Sequence, residues 1–226
     1  FNPYGTITAG RAEPQRCETL VIEATYGKPE QVLPPRQRVL RDLQGWMLTV
    51  AANGGGIVGA YTLGKAQEVV AAANAAGLRP AVSDEVGEVC DIYVAYDVPL
   101  EYDRFAALSP EQRAAPGMLV TSSTATSGRR PDAVVLELRQ RGAHTARVSG
   151  WCAFAPWALR GVDAGFPMSD HADFTGLLNF VEACAPQQVY TVHGAQSELA
   201  REIRKRLGIP AQALPDRGET TLEEFT

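Results

Sequence analysis

The sequence predicts an α/β protein built on parallel strands, and three observations carry that expectation. Short apolar runs of strand length alternate with longer runs of helical period between about residues 36 and 142, the pattern of a compact three-layer unit. Glycine and proline clusters punctuate the transitions. Between Phe166 and Leu207 the order is loop, amphipathic helix, buried strand and helix, with a histidine on either side of the helix–strand pair.

Taken in order, Phe1 to Ile7 carries turn signals and Thr19–Ala24 reads as a buried strand. Glu23 ends that apolar run and precedes Thr25-Tyr26-Gly27. Burying a carboxylate there is costly unless it has a partner, so Glu23 is either a strand-end residue reaching water or a group facing a site. Residues 28–35, rich in proline and charge, read as a linker. Val39, Leu40, Leu43, Met47 and Val50 then mark the apolar face of a helix. After the turn Asn53-Gly54-Gly55-Gly56, Ile57–Tyr61 reads as a strand and Leu63–Ala76 as a helix ending at Gly77. Gly64 and Lys65 fall at that helix's N-terminus, where backbone N–H groups and the helix dipole favour an anion.

Pro80–Ser83 and Ile92–Ala95 read as further short strands, and Ser109-Pro110-Glu111 opens a helical turn. Met118–Thr121 reads as a strand running into Ser122-Ser123-Thr124, with Ser127-Gly128 beyond. Hydroxyls in that position bond phosphate oxygens or simply make a loop. Pro131–Gln140 reads as a helix, Trp151 and Trp157 as packing residues, and the polar tail after Leu207 as a last strand and turn.

From Asp173, an N-cap candidate, Phe174, Leu177, Leu178 and Val181 recur at i, i+3, i+4 and i+7. Pro186 stops the helix, Gln188–Val192 reads as a strand, and Ser197–Leu207 as a helix. His171 therefore enters a helix, and His193-Gly194 leaves a strand at its carboxyl end. In open α/β sheets ligands gather at that edge, so both histidines can face one crevice. Taken singly, either fits a polar loop or a satisfied core residue.

Composition bounds the possibilities. With 226 residues, 45% hydrophobic and 21% charged, the chain suits one large soluble domain or two small ones. No apolar run reaches bilayer length, and Phe1-Asn-Pro-Tyr shows no secretory leader, which points to the cytoplasm. Cys17, Cys90, Cys152 and Cys184 form no Cys-x-x-Cys pair and read as reduced core thiols. The net charge of −5 disfavours a nucleic-acid partner, but arginines 129, 130, 139, 141, 147 and 160 outnumber the nearby carboxylates. That excess fits a phosphate backbone or a solvated face equally well.

Ser-Asp-His-Ala-Asp (169–173), the amphipathic helix and strand-His193-Gly194, with Glu23-Ala-Thr-Tyr-Gly27 and Tyr61-Thr-Leu-Gly-Lys-Ala-Gln-Glu68, resemble the β-CASP nucleases. These metallo-β-lactamase-fold enzymes cut RNA or DNA with two zinc ions, and the prokaryotic exonucleases resembling the mRNA 3′-end processing factor are the nearest in pattern. The resemblance implies a partial αββα core from residues 1–27 and 144–226, with an inserted three-layer β-CASP domain over 28–143. It implies catalytic roles for His171 and Glu23, a zinc-ligand role for His193, and phosphate contacts from Gly64, Lys65, Ser122 and Ser123. It further implies hydrolysis of single-stranded RNA, no membrane association and a possible homodimer. A DNA exonuclease of the same family and a non-catalytic nucleic-acid-binding module are the alternatives. The family's His-x-His-x-Asp-His motif is absent, so the chain is expected to begin after it and to be inactive alone.

Overall fold

The computed structural model describes residues 1–127 and 131–214. Gly128, Arg129, Arg130 and the tail from residue 215 lie outside the described residues. In chain order the elements are β1 (Thr19–Ala24), α1 (Arg36–Ala51), β2 (Gly56–Ala60), α2 (Lys65–Ala75), β3 (Ala81–Val82), α3 (Asp84–Ala95), β4 (Asp103–Arg104) and α4 (Pro110–Ala114). There follow β5 (Met118–Ser122), α5 (Ala133–Gln140), β6 (His144–Val148), β7 (Ala164–Phe166), α6 (Phe174–Cys184), β8 (Gln188–Gly194), α7 (Gln196–Leu207) and β9 (Ala211–Ala213). The fold is the α/β class expected, with parallel pairing throughout both described sheets.

The chain divides into two compact units. Of the described residues, the first gathers Phe1–Gly5, Arg11–Val32 and those from 171 to 214; the second holds Thr6–Gly10 and those between Leu33 and Asp170. Sheet order β1-β8-β9 organises the first. Ile22 and Ala24 from β1, Val189 from β8, Leu177 and Val181 from α6, and Leu199 and Ile203 from α7 close its core. Asp173 caps α6 by accepting a hydrogen bond from the Gly176 N–H at 2.8 Å, as its N-cap position predicts. Ala185, in the left-handed region at φ 46°, turns the chain out of the helix just before Pro186.

The second unit carries a six-stranded sheet in the order β4-β3-β5-β2-β6-β7. Successive residues of a strand face opposite layers, and here both layers are apolar. Val58 and Val120 pack with Val39, Leu43 and Met47 of α1 and with Val69 and Val70 of α2. Their neighbours Ile57 and Leu119 pack on the other face with Val135 and Leu138 of α5. Strands β6 and β7 extend this sheet to Phe166, so residues grouped in sequence with the flanking core hydrogen-bond here.

The expectation of a strand over Ile92–Ala95 is corrected: these residues end α3. Asp84 and Glu85 in its first turn favour the helix dipole, and Val86 and Cys90 bury at i and i+4. Ile92 and Val94 stay exposed at 58% and 44%, while Tyr93 between them packs against the core, as a helix and not a strand places them.

A charge cluster ties α1 and α2 to the end of this unit. Lys65 Nζ donates to Glu68 Oε2 and Asp170 Oδ1, each at 2.7 Å, while Arg36 pairs with Glu68 and donates to the Ser169 carbonyl. Lys65 and Glu68 side chains are each only 2% exposed. Burial pushes the Glu68 carboxyl up, but the adjacent Lys65 and Arg36 charges outweigh it and hold it below the usual carboxylate range. Removing one partner of a buried pair strands the other, so Lys65→Ala is expected to lower unfolding free energy by about 3–5 kcal/mol. Arg38→Ala removes an ion pair to Asp42 whose side chains are 71% and 62% exposed. It is expected to cost less than about 1 kcal/mol, and urea denaturation of both variants measures the contrast.

Candidate functional site

The carboxyl end of the β1–β8 ladder assembles the site of the first unit. The parallel register sets Glu23 beside Val192 and Ala24 beside Gly194, with an irregularity after Glu23 that accommodates the extra residue, His193. His193 takes a left-handed conformation at φ 56° and Gly194 follows at φ 68°. A Cβ on Gly194 would meet the Ala24 carbonyl oxygen at 2.5 Å, which only glycine avoids. The Ala195 N–H donates to that same carbonyl at 2.8 Å, so the His-Gly turn is laid directly on the end of β1. His193 is exposed at this edge.

Glu23 is the less exposed member of the pair it forms with His171. His171 Nδ1 lies 3.1 Å from Glu23 Oε1, and the Thr25 N–H donates to Glu23 Oε2 at 2.7 Å. Thr25 Oγ1 is 3.3 Å from the same imidazole nitrogen, and the Tyr26 ring meets His171 edge-on at 6.4 Å between centroids. The Glu23 side chain is 15% exposed, that of His171 49%. Burial pushes the Glu23 carboxyl up, but hydrogen bonds from His171 and Thr25 and the His171 charge outweigh burial and hold it at about 2. Glu23 is therefore a paired, ionised carboxylate, and neither a water-reaching strand end nor a stranded charge. In sequence Thr25 and Tyr26 are only part of a motif; the fold brings them to the imidazole.

The other expected residues lie in the second unit. Gly64, at φ 80°, opens α2, but its N–H donates to Gln67 Oε1 at 2.7 Å. The next two N–H groups donate to the Leu63 and Tyr61 carbonyls, and the Lys65 ammonium is held between two carboxylates. The donors that an anion would use at this helix start are thus engaged within the unit. Ser122 is buried, its hydroxyl 2.9 Å from that of Thr124 and accepting from the Ala125 N–H. Ser123 alone of the four lines an open cavity, together with Arg147 and Arg160 of the sequence's arginine excess, Tyr61, and Ser149 and Trp157, which the sequence did not single out as a site. Trp157, expected as packing, is 52% exposed.

Zinc is implied by the pattern, and the donor set tests it. Among the described residues no group of three or more His, Cys, Asp or Glu stands together as a metal site, whereas a zinc ion needs about three protein ligands or more. The described residues do not fit zinc. The described cysteines are free thiols, and no described helix is long and apolar enough to cross a membrane.

The electrostatics of Glu23 predict an acid response. Its folded value of about 2 lies below the ordinary 4.5, so the folded state binds fewer protons and the stabilisation is complete above about pH 5. It is lost as pH falls toward 2, over a span equivalent to about 3 kcal/mol. Glu23→Gln is expected to flatten the fall in stability between about pH 5 and pH 2, read from denaturation midpoints across that range.

Residues 165–215, which hold α6, β8 and the two site histidines, match the Zn-dependent metallo-hydrolase RNA specificity domain. Over 209 residues, 91% of the chain, it is 31% identical to a protein of Opitutus terrae named "Probable DNA ligase". The chain spans 20% of that relative's length. The segment carrying His171 and His193 is thus similar to the RNA specificity domain of Zn-dependent metallo-hydrolases.

Proposed function

We propose that this chain belongs to a cytoplasmic nuclease that hydrolyses phosphodiester bonds in single-stranded RNA, with His171 meeting the scissile phosphate. The observation that supports this reading most is the His171–Glu23 contact at 3.1 Å, on a strand edge that also presents His193. With Nδ1 turned to Glu23, proton exchange with a phosphate or leaving oxygen falls to Nε2. The carboxylate holds the ring in one orientation, and the Thr25 N–H fixes the carboxylate. Zinc, where such an enzyme holds it, supplies an activated water. His193 would contribute one imidazole to a two-zinc site, but the described residues do not complete that site.

A DNA substrate is the second reading, favoured by the name of the Opitutus terrae relative. A non-catalytic nucleic-acid-binding module is the third.

One assay separates the three. The full-length protein and the 226-residue chain are each incubated with labelled single-stranded RNA and DNA of one sequence. Cleavage of RNA by the full-length protein and none by the chain alone is expected. His171→Ala in the full-length protein is expected to reduce kcat by about 10²–10⁴-fold with KM little changed. Preferential DNA cleavage would transfer the reading to DNA. Binding without cleavage by the full-length protein would leave the module.

A further inference from the structure

The second unit holds a cavity of about 560 Å³ that the histidine site does not use. Its wall comes from the carboxyl ends of three adjacent parallel strands. Tyr61 follows β2, Ser123 and Thr124 follow β5, and Ser149 follows β6. Trp157 and Arg160 close it from the connection between β6 and β7. Carboxyl ends of neighbouring strands are where an open parallel sheet receives ligands, and the volume lies in the range of small-molecule sites.

The lining chemistry narrows the ligand. It contains hydroxyls and two arginines but no carboxylate. Arg147 is a fixed part of the wall: its Nη1 donates to the Ala158 carbonyl at 3.0 Å, and Nη2 lies 3.4 and 3.5 Å from the Ser123 and Thr126 carbonyls. Arg160 is exposed at the mouth, and among the described residues neither arginine pairs with an acid. Unbalanced positive charge beside hydroxyls suits a phosphate. Tyr61 and Trp157 are 54% and 52% exposed, large apolar surfaces left open at a pocket. The Trp157 ring is braced by Trp151 at 6.0 Å between centroids, so it is presented as a platform. Phosphate-binding charge combined with exposed aromatic faces is the way single strands are gripped.

We propose that this cavity seats one nucleotide of a single-stranded nucleic acid, with phosphate against Arg160, Ser123 and Ser149 and base against Trp157 and Tyr61. The inference rests on the nucleic-acid reading above and adds a nucleotide seat within the second unit. The base stacks without sequence readout, so the grip serves any strand. A free nucleoside monophosphate shares this chemistry and is the alternative source.

Fluorescence anisotropy of the 226-residue chain with labelled ten-nucleotide oligouridylate and oligothymidylate tests it. Trp157→Ala is expected to weaken Kd about fivefold or more, with Trp157→Phe close to wild type. Arg160→Ala is expected to weaken binding and reduce the slope of log Kd against log salt by about one. Arg79→Ala, far from the cavity lining, is the folded control. Wild-type binding that both cavity variants leave unchanged would overturn the seat and leave the nucleic-acid reading standing. Binding of neither oligonucleotide by wild type would overturn both. Uridine monophosphate that competes as tightly as the oligomer would overturn the strand in favour of a free nucleotide.

Discussion

The parallel ladder between β1 and β8 pairs Glu23 with Val192 and Ala24 with Gly194, joining segments from opposite ends of the chain. Every feature of the histidine site depends on that register. A slip of one residue would turn Glu23 to the other face of the sheet, away from His171 and Thr25. The close approach of Gly194 to the Ala24 carbonyl locks the register at its end, because no side chain fits there. The left-handed His193 is a consequence: the chain must take its extra residue where the ladder breaks, and histidine tolerates that region better than a branched residue does.

Charge is handled in two ways in this protein. At Glu23 a carboxylate is half-sequestered against an imidazole and a backbone N–H, an arrangement that keeps a proton acceptor ionised and its partner oriented. At Lys65 and Glu68 the charges are buried and are balanced by the partly exposed Asp170 and Arg36. Such a cluster adds little net stability over apolar packing, since desolvation opposes attraction, but it severely penalises any geometry that separates the partners. It therefore specifies how the starts of α1 and α2 hold the Ser169-Asp170 segment, the two residues preceding His171 in sequence.

The three-stranded edge formed by β2, β5 and β6 differs from both. Its arginines are not cancelled by acids among the described residues, and its aromatic residues are not covered. A net charge of −5 gave no hint of this, because a sum over the chain says nothing of where positive charge gathers. Local excess, and not total charge, is what a phosphate meets.

Much was determined by the amino-acid sequence alone. Periodicity located α1, α6 and α7, Asp173 marked a helix start that the structure caps with its carboxylate, and the polar residues ending apolar runs marked Glu23 and His193. These are local signals, each readable within a turn or a strand. Only the tertiary structure decided the rest, since each outcome depended on which distant group came near. Ile92–Ala95 reads as a strand until Val86 and Cys90 are seen packing as one helical face. Lys65 reads as an anion contact until Asp170, far along the chain, takes its ammonium. Trp157 reads as core until the loop after β6 presents it to solvent beside Arg160. Sequence specifies the donors, charges and apolar faces, whereas pairing between remote segments determines which of them are already satisfied.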